Sequence, residues 1–297
     1  GCFASPDSGQ ALVLGWRGCF ASSGGGQAWV LGWGGCFASS GGGQSGGAGW
    51  GGEGLGMVEL SWRGSVAVVA LQRPEARNAL CLELLDGLEA CLDLVGEAAC
   101  VVLTGAGGVF SAGADLRERR GMSAEQRTSH TRRIADLCDR LEALPMPVAA
   151  QVEGFCLAGG LELALACDLR FADESAVFGF PEIQLGIFPG ADGPVRLSRL
   201  VGPGRAARLL YSGERIDCEQ AVAMGLAERG DAFGWAERVA THSRAAVRAL
   251  KAGLRAARDL PFAEAQAAVR GFREPLDASP EYEAALQAYF NRNSSRA

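Results

Sequence analysis

The sequence predicts an α/β fold with largely parallel strand pairing and a helical C-terminal region. Three observations predict it. Short apolar runs that read as strands alternate with longer segments of helical spacing. Several of these runs end in glycine and pass directly into a helix start, which is where such folds place ligands. From about Cys218 onward the chain is rich in Ala, Arg and Glu and reads as helix.

The elements follow in order. "VELSWRGSVAVVALQR", from Val58, reads as a β-hairpin of two runs around Arg63-Gly64. "LCLELLDGLEACLDLV" has helical spacing, and "ACVVLTGAG" is a buried strand that ends in glycines. "SAEQRTSHTRRIADLCDRLEAL" is an amphipathic helix, with Ser123 as its cap and Gln126 three residues on. Its His130 is expected on the polar face. "PMPVAAQVEG" is a further strand, followed by a helix over Gly159–Asp168. "DLRFADESAVFGFPE" gives a strand and a turn. "PVRLSRLVGPGRAARLLYSGE" carries two helices divided at Gly202-Pro203.

Residues 1–56 have a different texture. They hold 20 of the 43 glycines and four of the six tryptophans, but only Asp7, Arg17 and Glu53 as charged residues. "GCFASPDSGQ", "GCFASSGGGQ" and "GCFASSGGGQ" begin at Gly1, Gly18 and Gly35, a period of 17 residues. Near-identical glycine-rich units point to recent tandem duplication, and this segment is expected to be disordered or an over-extended reading frame that truly starts at Met57. It lacks the basic start and long apolar stretch of a signal peptide. The expected division is residues 1–56, a core over 57–250, and a helical region over 251–297.

Composition narrows the function. A formal charge of −6 disfavours a general nucleic-acid binder, although a local basic patch can still hold a phosphate. Ten scattered cysteines form no CxxC pair and read as reduced thiols in a cytoplasmic protein. The two histidines, His130 and His242, have no metal-ligand spacing, so no metal site is expected. No apolar run approaches the roughly 20 residues of a membrane span.

One residue demands an explanation. Glu162 lies in "AGGLELALACD", inside an apolar helix where an unpartnered carboxylate costs several kcal/mol. Two junctions share the same grammar of glycines followed by a helix: "VFSAGADLRE" at 109–118 and "VEGFCLAGGLELALACDLR" at 152–170. Unpaired N–H groups at helix starts carry partial positive charge, and two of them converging on one carbonyl oxygen make an oxyanion hole. "FGFPEIQLGIFPGADG", residues 178–193, adds a second carboxylate, Glu182, and another glycine turn. Asp115 reads as a cap for the helix after it.

These segments, with "RPEARNAL" and "GLAERG", resemble the signature of the crotonase (enoyl-CoA hydratase/isomerase) superfamily. Each motif alone is weak; all of them in this order are specific. The resemblance covers Met57 to the C-terminus. It implies a right-handed spiral of ββα turns with a helical C-terminal region, assembled as homotrimers or homohexamers. It implies that Ala114 and Gly159 offer backbone N–H groups to a thioester oxygen, and that Glu162 and Glu182 hold and activate water. It places Ala112, Gly113, Asp115, Leu116, Arg117, Gly190 and Gly193 against the substrate, with Arg117, Arg119 and Arg120 near the phosphates of coenzyme A. Coenzyme A is then part of an acyl-CoA substrate, and no separate cofactor is needed. The expected reaction is hydration of a 2-enoyl-CoA to a 3-hydroxyacyl-CoA. The alternatives are an enoyl-CoA isomerase or another reaction of this superfamily, and, in a different class, a non-catalytic binding or assembly subunit.

Some positions depart from the superfamily's commoner pattern. Ala158 precedes two glycines where three are frequent. Asp192 stands where glycine is usual and Pro194 where threonine is common. Glu75 replaces a lysine of some members, the stretch from Gly230 to Lys251 is short, and the lysine-rich ending is lacking. If Asp192 faced the site, it would raise the pKa of Glu182.

Overall fold

The computed structural model describes residues 53–294. The glycine-rich repeat therefore lies outside the described residues, apart from its last few positions. Strand β1 (Glu53–Leu55) pairs antiparallel with β2 (Val58–Arg63), so the sheet begins ahead of the expected boundary at Met57. The predicted hairpin forms between β2 and β3 (Val66–Leu71), with Arg63 opposite Val66. Gly64 turns the chain at a φ of 59°, the left-handed conformation that such a short loop requires.

From β3 the chain runs in parallel crossovers. Helix α1 (Leu82–Leu94) leads to β4 (Cys100–Gly105), and α2 (Leu116–Arg120) with α3 (Ala124–Ala143) leads to β5 (Val148–Val152). Then β6 (Phe155–Leu157) and α4 (Gly159–Ala166) precede β7 (Leu169–Ala172). β8 (Val177–Gly179), α5 (Gly193–Val201), α6 (Pro203–Ser212), β9 (Arg215–Asp217), α7 (Cys218–Met224) and β10 (Glu228–Arg229) complete the strands. The main sheet has the order β1-β2-β3-β4-β5-β7-β10, parallel from β3 onward; β6-β8-β9 form a smaller sheet beside it.

The sheet is buried on both faces, and its side chains alternate between two cores. Ala67, Val69, Leu71, Val101 and Leu103 join the larger cluster with α1, α3 and α4. Val66, Val68, Cys100 and Val102 turn the other way, under Ala232 and Ala236 of α8 (Ala232–Val239). Continuous apolar runs, rather than period-two alternation, are what a parallel sheet covered on both faces requires.

Helix α9 (Arg244–Asp259) runs across the expected 250/251 division, and α10 (Phe262–Asp277) and α11 (Pro280–Ser294) follow it. The buried Lys251 ties α9 to the core: its Nζ donates to the Met146 carbonyl at 2.9 Å and to Asp168 at 2.7 Å. On α3 the Ser123–Gln126 capping box forms as predicted. His130 is corrected: it is 1% exposed and faces inward, with its Nε2 3.9 Å from Glu118. Burial, with Arg119 nearby, lowers its pKa. The seven described cysteines are free and buried. No helix among the described residues is long and apolar enough to cross a membrane.

Leu55 of β1 packs against the main core. A chain beginning at Glu53 should therefore melt a few degrees higher than one beginning at Met57, since partial burial of a leucine contributes about 1 kcal/mol. Thermal unfolding of the two truncations measures this, and equal melting temperatures would show that β1 adds nothing.

Candidate active site

The site forms where the two predicted glycine junctions meet. After β4, the chain passes through Phe110 and Ser111 to Gly113 and Ala114, and pairs with Leu80 there. The Leu80 N–H donates to the Gly113 carbonyl at 2.8 Å, and the Asp115 N–H donates to the Leu80 carbonyl at 3.1 Å. In such a bridge successive N–H groups alternate in direction, so that of Ala114 points away from Leu80. Gly113, at a φ of 88°, is the closest approach: a Cβ there would lie 2.6 Å from the Ala158 Cβ and 3.0 Å from the Gly159 nitrogen. The absence of that side chain lets the Ala114 turn and the start of α4 touch.

Helix α4 is buried along its whole length. Its C-terminal end is satisfied by the buried Arg170, which donates to the carbonyls of Cys167 at 2.9 Å and Ala164 at 3.4 Å. Its N-terminal end is the side that faces the cavity. The first intrahelical bond runs from the Glu162 N–H to the Ala158 carbonyl, which leaves the Gly159 N–H without an intrahelical acceptor. A Cβ built on Gly159 would sit 3.7 Å from the Ala114 nitrogen, so the two N–H groups lie close together. Ala158 turns the chain into the helix at φ 52° and ψ −131°, a conformation that an L side chain rarely adopts. Strain of about 1–3 kcal/mol at such a position is the mark of a site over-determined by its surroundings.

Glu162, 3% exposed, is not an orphan. Its Oε1 accepts from the N–H groups of Ala191 at 2.7 Å and Gly193 at 2.9 Å. Gly193 has to be glycine for this, because a Cβ would lie 2.9 Å from that same oxygen. Burial still raises the Glu162 pKa, opposed by the two backbone donors and Arg196, while the nearby charge of Asp192 adds to the rise. Glu182 stands in the single-turn helix Pro181–Leu185 after β8. Its Oε2 is buried with no hydrogen-bond partner, and burial pushes its carboxyl up to about 7, opposed by its own backbone N–H, with Glu162 contributing repulsion and Arg119 a smaller attraction. Two carboxyl groups with different protonation tendencies thus share one cavity of about 280 Å³.

Ala112, Ala114, Leu116, Gly159 and Gly190 line that cavity with the two glutamates. Other expected residues stand behind it or away from it. Asp115 caps α2, accepting from the N–H groups of Arg117 and Glu118, and its other oxygen pairs with Arg73 at 2.5 Å. Gly113 and Gly193 shape the turns. The exposed Arg117 side chain is not among the lining residues; Arg119 is, along with Thr131 and Ile134 of α3. Those α3 residues were not singled out from sequence, where they are ordinary positions of an amphipathic helix. Asp192 is left-handed, with φ 64°. Its side chain, 56% exposed, lies 3.7 Å from Arg196 outside the cavity wall, so it acts on Glu162 rather than on Glu182.

The enoyl-CoA hydratase/isomerase family pattern matches residues 62–295. The chain belongs to the enoyl-CoA hydratase/isomerase family. The mitochondrial enoyl-CoA hydratase of Pongo abelii is 35% identical over 211 residues, which cover 67% of this chain and 72% of that protein. The short-chain-enoyl-CoA hydratase of Clostridium acetobutylicum is 42% identical over 183 residues, 59% of this chain and 69% of that protein. The crystal structure of a Bacillus anthracis enoyl-CoA hydratase superposes with a TM-score of 0.77 at 35% identity, covering 80% of this chain and 96% of that one. The fold is therefore that of the crotonase superfamily. Against several other curated relatives the chain spans less than two thirds of their length, 54% to 64%.

In this family member the Glu182 carboxyl has a stability signature. Its folded pKa of about 7 lies above the ordinary carboxyl value. The folded state therefore binds the proton more tightly, and stability is lost as pH rises through about 7. Glu182→Gln, which cannot ionise, should melt higher than the wild type at pH 8 and lose that advantage by pH 5. A difference that stays constant between these pH values would show that the carboxylate is not destabilising in place.

Proposed function

We propose that the protein adds water across the double bond of a 2-enoyl-CoA thioester, giving the 3-hydroxyacyl-CoA. The observation that carries this reading is the pair of glutamates beside two adjacent backbone N–H groups in one cavity. The family relationship supports the acyl-CoA substrate class.

In this reading the N–H groups of Ala114 and Gly159 receive the thioester oxygen. Water, held by Glu162, attacks C3 and gives up its proton to that carboxylate. The electron pair of the double bond moves toward C2 and onto the oxygen, and the two N–H groups stabilise the enolate. Glu182, protonated through much of the range below its pKa of about 7, supplies the proton to C2. Oε1 of Glu162 is occupied by Ala191 and Gly193, so the group is held in one orientation and Oε2 is the oxygen left to face water. Coenzyme A belongs to the substrate, no further cofactor takes part, and the protein works in the cytosol as a trimer or a dimer of trimers.

Glu162→Gln and Glu182→Gln should each lower kcat by a factor on the order of 10² or more, with the double variant far from additive because the two groups act as a unit. Loss of the conjugated enoyl chromophore, with products identified by mass, measures this. The wild-type rate should fall as pH rises through about 7, where Glu182 loses its proton. A product isomeric with the substrate, carrying a shifted double bond and no added water, would make the protein an isomerase instead.

A further inference from the structure

The cavity does not end at Glu182. Leu116, Arg119, Thr131, Ile187 and Gly190 belong to its wall and also to the wall of a second, more open hollow of about 650 Å³. The hollow is lined by Arg119 and Arg120 of α2 and by Arg127, Thr128, Thr131 and Arg132 of α3. The spacing of the α3 residues puts them on one face of the helix. The neighbouring face of α3 is neutralised: Arg133 pairs with Asp86 and Glu89, and Arg140 with Asp93. Among the described residues, none of the four arginines of the hollow has a carboxylate within ion-pair distance. Arg119 donates instead to the Arg127 carbonyl and to the Thr131 hydroxyl. Four uncompensated guanidinium groups around one concavity, in a chain of formal charge −6, are a site for an anion.

We infer that this hollow receives the far end of the acyl chain, and that the acyl group recognised there ends in a carboxylate. This rests on the acyl-CoA reading of the site, and direction along the cavity decides between the two anions that such a substrate would carry. The thioester oxygen lies at Ala114 and Gly159 and the reacting carbons lie at the glutamates. The hollow opens beyond them, past Glu182 and Gly190, where Arg119 is close enough to attract the Glu182 charge. In this reading the coenzyme A phosphates lie on the other side of the thioester, and Arg119 and Arg120 serve the acyl end instead of the phosphates. Other cations stand by the catalytic cavity: Arg215, which lines it, and Arg77, which shares the Phe155 ring with Arg215 and whose carbonyl accepts from the Ala112 N–H. On this reading the arginines of the hollow, which have no ion-pair partner among the described residues, are left for a second negative group at the ω end of the chain.

Calorimetric titration of the full-length protein with pairs of saturated acyl-CoA ligands, matched in length over five to eight carbons and ending in methyl or carboxylate, tests this without turnover. At the length that fits, the carboxylate-ended ligand should bind about tenfold tighter or more, the gain expected of charge-assisted hydrogen bonds. The double variant Arg127→Met, Arg132→Met, at two exposed positions, should lose most of that preference. Titration with free coenzyme A separates the two anion sources. Equal affinity for both members of every pair would overturn the inference. So would a double variant that weakens both ligands and free coenzyme A alike, because the arginines would then serve the phosphates. A carboxylate preference in a protein that hydrates neither matching enoyl-CoA would uphold the hollow and remove the hydratase reading.

Discussion

A carboxylate inside an apolar helix must be held by something, and Glu162 is held by two backbone N–H groups from another element. That constraint reaches far into the structure. Ala191 and Gly193 can both donate to one oxygen only if the chain between them turns sharply, and Asp192 does so in the left-handed conformation. Asp and Asn are the non-glycine residues that best tolerate it. Gly193 must lack a side chain, and α5 must start where it does. Because the donors are main-chain groups at the head of a helix, they form a fixed partial charge that needs no counter-ion. An ion pair at this depth would have demanded a buried cation and removed the carboxylate from proton chemistry.

The contrast with Glu182 follows from the same physics. Both carboxyl groups are desolvated, but only Glu162 has backbone donors from another element. Glu182 keeps a buried, unpartnered oxygen and a proton affinity suited to neutral pH. The asymmetry comes from the two backbone donors and the Arg196 charge that favour the Glu162 carboxylate, against the Glu162 charge that disfavours the Glu182 carboxylate. Helix α4 is likewise asymmetric, with Arg170 closing its carbonyl end and the amide end facing the cavity. The strained Ala158 is the link between the two: it brings the helix start beside Ala114 at the cost of an unfavourable backbone.

The main sheet was legible because its strands are long and apolar. "VELSWRGSVAVVALQR" and "PMPVAAQVEG" carry enough residues to show a pattern, and Ser123 with Gln126 fixed a helix start. The second sheet was not legible. β6, β8 and β9 have three residues each, too few for any period to register, and they are held by tertiary pairing. Glu162 and Glu182 could be picked out because a charge in an apolar run and a glutamate in a glycine-rich turn break local rules. The donors to Glu162 could not be assigned by such reasoning, since any residue but proline has an N–H. His130 was misplaced because its sequence neighbours are polar, while the packing of α3 against the core turns it inward. Thr131 and Arg132 stand next to it on the same helix and face elsewhere, which only a three-dimensional frame can separate.

Helix α3 therefore serves several masters along different lines of its surface. One line, through Ile134, Leu137 and Leu141, anchors the core; Arg133 and Arg140 clamp it to α1; a third faces the cavity and the hollow beyond. The third line bears little of the fold's weight, and its outer positions are exposed. Mutations there can drift without unfolding the domain or touching the glutamates. The wall of the hollow can therefore change side chain by side chain while the α3 core line and both carboxyl groups keep their places.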